Sequence, residues 1–126
     1  MVLAAAFLNL RATAELIAQE KPLRLLVVCS GTENEAATED VLAAGALCDL
    51  VWPVYSGTTI ADSAHLARRL FEVERNNLLA ALSQTRNGRR LLAHPELSND
   101  VAFCAQRDTV NLVACLGRDG AVRKNG

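Results

Sequence analysis

The amino-acid order predicts an α/β fold: a layered sheet with helices on both faces, representing roughly half of a larger α/β fold. Segments with helical spacing alternate with short valine-rich runs. One of those runs, LRLLVVC at 23–29, is nearly continuously apolar, as in a strand buried on both faces of a sheet. Only two or three strand-like segments occur, so the sheet is narrow and both its edges stand open, which suggests that it continues into something outside this sequence.

Taken in order, residues 7–20, FLNLRATAELIAQE, read as an amphipathic helix with Leu10, Ala14, Ile17 and Ala18 at helical spacing, stopped by Pro22. The strand at 23–29 follows, then a small, polar loop, SGTENEAAT. Thr38 is placed to cap the next helix, and Glu39 and Asp40 suit its positive end. Pro53 and Gly57 bound a connector. A long helix is expected from Asp62 to Leu82, with Leu66, Leu70, Val73, Leu78 and Leu82 on its buried face. Ser83–Gly88 reads as a break, RRLLAH as a short helical turn ended by Pro95, and residues 100–106 as helix or strand. NLVACL at 111–116 reads as a strand. Arg118-Asp119-Gly120 reads as a turn, and AVRK as a returning hairpin arm.

With 126 residues, the chain is expected to form a single domain, 1–126. Hydrophobic residues make up 51% and charged residues 21%, which predicts a packed core rather than disorder. Only 4% is aromatic, so Ala, Leu and Val must build that core. The formal net charge of -1 gives no attraction to nucleic acid or to an anionic membrane surface. Arg86, Arg89 and Arg90 make a local basic patch whose ordinary meaning is a solvated helix face. The apolar start lacks a basic segment before it, and no run is long enough to span a membrane. Cys29, Cys48, Cys104 and Cys115 form no CxxC pair and no zinc-ligand spacing, which suits reduced thiols in a cytoplasmic protein.

The chemistry gathers at the end of the 23–29 strand, where ligands of open α/β sheets bind. Cys29, Ser30, Gly31 and Thr32 are small, so backbone N–H groups and two hydroxyls can approach an anion; a tight strand-to-helix connection has the same composition. A cysteine-dependent phosphatase would call for an arginine at position 35, which is Glu35, so Cys29 reads as a small packed residue. Magnesium takes one or two carboxylates plus waters and a substrate phosphate. Glu39, Asp40 and Asp62 are the candidate ligands, with Glu33 and Glu35 nearby. Asn87 and Gly88 form a polar break and a candidate substrate contact, although Asn-Gly most often marks a turn. Arg89 and Arg90 are within reach of a phosphate or sulfonate in principle. His65 and His94 read as surface or capping residues, Asp100 as a cap, and Asp108 as a cap or site residue. The residues alone assign no nucleophile.

Taken together, A-F-L-N-L-R-A at 6–12, C-S-G-T at 29–32, E-D-V-L-A-A-G-A-L at 39–47, S-Q-T-R-N-G-R-R-L at 83–91, D-V-A-F-C-A-Q-R-D at 100–108 and the closing Asp119-Gly120 resemble the 2-phosphosulfolactate phosphatase family. The resemblance covers nearly the whole chain and places it in the C-terminal half of that family's sequence. It implies a hydrolase that binds Mg2+ and converts a small-molecule phosphate ester, 2-phosphosulfolactate, to sulfolactate and phosphate, a step of coenzyme M synthesis in methanogens. The family's N-terminal half carries an Asp-containing strand-end motif followed by Arg-Ala-Thr, and a Thr-Asn-Gly-Thr segment; neither is in this sequence. The resemblance therefore implies a further partner, either that N-terminal half or a second subunit, and the open edges also allow a homo-oligomer. The alternative is a non-catalytic assembly module that keeps the fold without those motifs.

Overall fold

A computed structural model describes residues 1–125. The chain opens with a two-residue strand, β1 (Leu3–Ala4), and a single 3-10 turn, Phe7–Asn9. Six α-helices follow among the described residues: α1 (Leu10–Glu20), α2 (Thr38–Tyr55), α3 (Asp62–Glu74), α4 (Leu78–Gln84), α5 (Arg86–Leu92) and α6 (Ser98–Cys104). Strands β2 (Ala114–Leu116) and β3 (Val122–Lys124) close the chain. The α/β class is as predicted. The sheet has the order β1-β2-β3 and is antiparallel throughout, with Leu3 opposite Cys115 and Cys115 opposite Arg123.

The first predicted helix forms as drawn. Leu10, Ala14 and Ile17 face the core, and the helix ends at Lys21, whose φ of 44° is left-handed, one residue before Pro22. The β1 strand was not anticipated, because a two-residue strand leaves no periodic trace. Asn9 holds it. The buried Asn9 side chain accepts from Ala6 N–H at 2.8 Å and donates to the carbonyls of Ala4 and Leu112 at 3.2 and 3.3 Å, joining the first segment to the approach of β2. Asn9→Ala strands those groups and should cost about 1–3 kcal/mol; urea denaturation measures this, and an unchanged midpoint contradicts it.

The central packing unit is the antiparallel pair α2/α3. Gly45 lies so close to α3 that a Cβ there would sit 2.1 Å from the Ala67 carbonyl oxygen. Outside that seam, Arg68 bonds Asp49 at 2.8 Å and Glu72 at 3.1 Å, and lies 4.4 Å over the Trp52 ring, which His65 meets edge-on at 4.9 Å. His65 is exposed, in keeping with its reading as a surface residue, and rests edge-on against Trp52.

Several boundaries differ from expectation. Ala37, not Thr38, is the N-cap of α2, and no side chain caps it. The helix continues through Pro53 to Tyr55, since a proline in the last turn removes only one hydrogen bond. The long helix expected over Asp62–Leu82 is broken at Arg75–Asn77, where Asn77 caps α4 by accepting from Ala80 N–H at 3.2 Å. Of the expected inner residues, Leu78 and Leu82 are buried in α4 and Leu70 packs on the core, but Leu66 and Val73 are 70% and 75% exposed, and the buried residues of α3 are Ala67 and Phe71. The close approach at Gly45 turns Ala67 and Phe71 of α3 towards α2. The stretch left open at 100–106 is helical, in α6.

The C-terminal hairpin forms at the predicted turn, with Gly120 at φ 81°. Arg123 grips Asp119 through two bonds, 2.8 and 2.6 Å. Those bonds, with the Ala121 N–H, hold the Asp119 carboxyl down from 3.8 to about 2. The folded-state value is the lower one, so pairing favours the hairpin above pH 3.8 and is lost as the pH falls through about 2. An NMR titration of the Asp119 carboxyl should give a midpoint near 2, moving back towards 3.8 in Arg123→Ala.

The strand expected at 23–29, buried on both faces, does not form: Leu23 is a bend, residues 24–29 carry no regular secondary structure, and none pairs with another strand. Leu25 and Val27 pack on the core, and the neighbouring Leu26 and Val28 point away from it. The segment is pinned at its base by the Tyr55 hydroxyl, which donates to the Pro22 carbonyl at 3.0 Å.

Candidate functional site at the start of helix α2

Past Cys29 the chain turns sharply back towards α2. Thr32 and Glu35 exchange both backbone hydrogen bonds at 3.0 Å around Glu33 and Asn34, both at positive φ. This is the geometry of a two-residue reverse turn in which both central residues are left-handed. Gly31, at φ +69°, is required there twice over: an added Cβ would meet the Glu35 carbonyl at 2.6 Å.

The loop is tied to the first turn of α2. Asp40 Oδ2 accepts from Gly31 N–H at 2.7 Å and from Ser30 Oγ at 3.3 Å. Asn87 Nδ2 donates to Thr32 Oγ1 at 2.9 Å and also to Glu39 Oε1. Arg86 bonds Glu35 at 2.6 Å and the Thr32 carbonyl at 3.0 Å. Ser30, Gly31, Thr32, Glu39, Asp40 and Asn87 therefore form one polar cluster, drawn from three separated stretches of sequence. The first backbone amides of α2 lie beside it, and the positive end of the helix dipole favours negative charge there.

Cys29 borders this cluster and is exposed, with a free thiol. Desolvation, and then the Asp40 carboxylate, push its pKa up. A raised pKa keeps the sulfur as thiol, whereas the thiolate is the nucleophilic form. A thiol held protonated does not support a nucleophilic role, but the exposure of Cys29 corrects the expectation of a packed residue: it lies on the surface at the rim of the cluster.

Gly88 and Asp62 stand apart from the cluster. Asn87 and Gly88 do not make a turn between helices; both lie inside α5. Thr85 caps that helix, accepting from Gly88 N–H at 2.9 Å while its hydroxyl donates to the Leu82 carbonyl. Gly88 is buried, and a Cβ there would fall 1.8 Å from the Leu82 carbonyl oxygen, so its small size serves the α4–α5 junction. Asp62 begins α3, which runs antiparallel to α2, and so lies level with the far end of α2. From Asp40 to Tyr55 that end is roughly 22 Å along the axis at 1.5 Å per residue. Asp62 accordingly does not join Glu39 and Asp40. Among the described residues, no group of three or more His, Cys, Asp or Glu side chains is placed to hold a metal ion.

Glu39 and Asp40 still match what magnesium asks of a protein, since one or two carboxylates suffice when waters and a phosphate complete the shell. Each has one oxygen engaged with the loop or Asn87. The Arg86–Glu35 pair was not found from the sequence: its partners lie far apart along the chain, and no local pattern joins them. Asp108, left open as cap or site residue, accepts from Arg11 N–H at 2.7 Å and so caps α1. Arg89 bonds the Gln84 carbonyl in its own helix junction.

No helix among the described residues is long and apolar enough to cross a membrane. Residues 1–119 match the family model described as 2-phosphosulpholactate phosphatase. A "Probable 2-phosphosulfolactate phosphatase" of Pseudothermotoga lettingae is 32% identical over 122 residues, which covers 96% of this chain and 51% of the relative. Proteins of the same name from Thermotoga maritima and Synechococcus sp. JA-3-3Ab are 31% and 33% identical, over 91% and 90% of this chain and 48% and 47% of theirs. The chain spans about half the length of the curated relatives it matches. On the extent of these matches, the chain belongs to the 2-phosphosulfolactate phosphatase family.

Proposed function

We propose that this chain supplies one half, the C-terminal one, of a magnesium-dependent phosphatase that releases phosphate from 2-phosphosulfolactate or a related small phosphate ester. The relatives' names support the substrate, and one observation carries the site: Glu39, Asp40 and Asn87 converge on the Ser30–Thr32 loop at the start of α2. In this reading Glu39 and Asp40 hold Mg2+, whose charge offsets that of the phosphoryl oxygens. Asp40 also fixes the loop through Gly31, and Asn87 orients Glu39. The hydroxyls of Ser30 and Thr32 and the first amides of α2 face the ester's anionic groups. The nucleophile and further phosphate contacts come from the half that the relatives possess and this chain does not span. Four free cysteines fit a reducing, cytoplasmic setting.

The test supplies the unmatched half of the Thermotoga maritima relative by co-expression and follows inorganic phosphate released from 2-phosphosulfolactate. Release that needs Mg2+ and stops with EDTA is expected. No release from this substrate or from a panel of small phosphate monoesters overturns the proposal. A second reading, an assembly module without catalysis, is favoured by one observation, the unpaired apolar segment at 23–29. It predicts a stable complex that ignores Mg2+ in a binding titration.

A further inference from the structure

A cleft adjoins the polar cluster and shares Ser30 and Asp40 with it. It encloses about 710 Å³ between Met1–Ala5 on one side and Arg24–Ser30 on the other. Its floor is apolar, made by Leu10 and Ile17 of α1 and Ala43, Ala44 and Leu47 of α2. One wall contains β1; the other, residues 24–30, belongs to no strand and has no regular secondary structure. β1 pairs with β2 on one edge alone, leaving its other edge open. Across the cleft, no backbone group of residues 23–30 hydrogen-bonds to another backbone group.

Side-chain burial gives the same picture. Leu25 and Val27 rest on the helices, whereas Leu23, Leu26 and Val28 are 102%, 84% and 76% exposed, as is 58% of Val2 in the opposite wall. A strand apolar on both faces, with valines side by side, is the pattern of a central strand. Two open edges and an exposed apolar face are what proteins ordinarily cover.

We propose that this cleft is a two-sided strand acceptor: a β-strand from the half of the relatives that this chain does not span lies between β1 and residues 24–30, and that half also covers Leu26 and Val28. The occupant is chosen on two grounds. The relatives carry about as much chain again as this one, 51% and 48% of their lengths being matched in two of them. A second copy is a poor fit: its edge strand β3 is exposed throughout and carries Arg123 and Lys124, unsuited to an apolar floor, and its other open edges, at β1 and residues 24–30, are the walls of its own cleft. The cleft also needs a strand inserted between its walls, which simple edge-to-edge pairing of two copies does not supply. The inference rests on family membership and not on the reaction proposed above, so its test reads binding and not phosphate release.

The chain is co-expressed with the unmatched half of the Pseudothermotoga lettingae relative, and mass and amide hydrogen exchange are measured. The expected result is a one-to-one complex in which the amides of Leu3, on the open edge of β1, and of residues 24–30 exchange slowly, having exchanged fast in the chain alone. Leu26→Lys, at an exposed position, should leave the melting of the chain alone unchanged and weaken the complex at least tenfold, since a lysine would be buried without a partner. A complex that leaves those amides fast overturns the proposal, as does a failure to form one. A chain that by itself protects the same amides overturns it too: as a dimer it would make a second copy the occupant, and as a monomer it would show that the edges are already satisfied.

Discussion

Gly45→Ala should destabilise the chain by about 2 kcal/mol or more, against a gain of up to about 1 kcal/mol that helix propensity alone predicts. The reason is positional. The new Cβ would stand 2.1 Å from the Ala67 carbonyl oxygen, 2.6 Å from the carbonyl carbon and 2.9 Å from Phe71 Cβ. The first two are backbone atoms, which no rotamer change can move aside. Relief requires α2 and α3 to separate, and separation loosens Phe71, which is 1% exposed and among the largest fully buried side chains. It also pulls Arg68 from Asp49 and from the Trp52 ring. Urea denaturation followed by circular dichroism checks this, and a midpoint equal to or above that of the parent rejects the close approach.

Asp40→Ala should lower phosphate release by at least about 100-fold in the reconstituted protein, because the same carboxylate serves the ion and the loop that faces the ester. Its removal leaves Gly31 N–H without its acceptor, so that amide should exchange faster with solvent while the core amides of α2 do not. The pair of readouts separates a local effect from unfolding. Asp62→Ala is the matched control: it removes an acidic residue at a helix start at the other end of the helix pair, and activity should stay within about twofold. Equal losses in the two variants would remove the metal assignment from Glu39 and Asp40.

What the amino-acid order made legible was local. The amphipathic period of residues 7–20, the stop at Pro22, the acids opening α2 and the hairpin at Asp119-Gly120 all depend on neighbours a few positions apart, where backbone geometry fixes which side chains share a face. The approximate place of the candidate site was legible for the same reason, since an extended apolar run followed by small residues and acids marks a strand end facing a helix start. The spaced motifs, taken in order, also carried the family.

Tertiary packing decided the rest. It made Ala67 and Phe71 the inner side of α3 instead of Leu66 and Val73, because Gly45 lets the α3 backbone approach at Ala67 and so fixes which face of α3 meets α2. It brought Arg86 to Glu35 and Asn87 to Glu39, and set Asp62 apart, through helix directions that no short-range period encodes. It also left residues 23–29 without a strand partner. An apolar strand has the same sequence pattern whether or not its partners are present, because its pairing lies in hydrogen bonds to other segments and not in its own side chains.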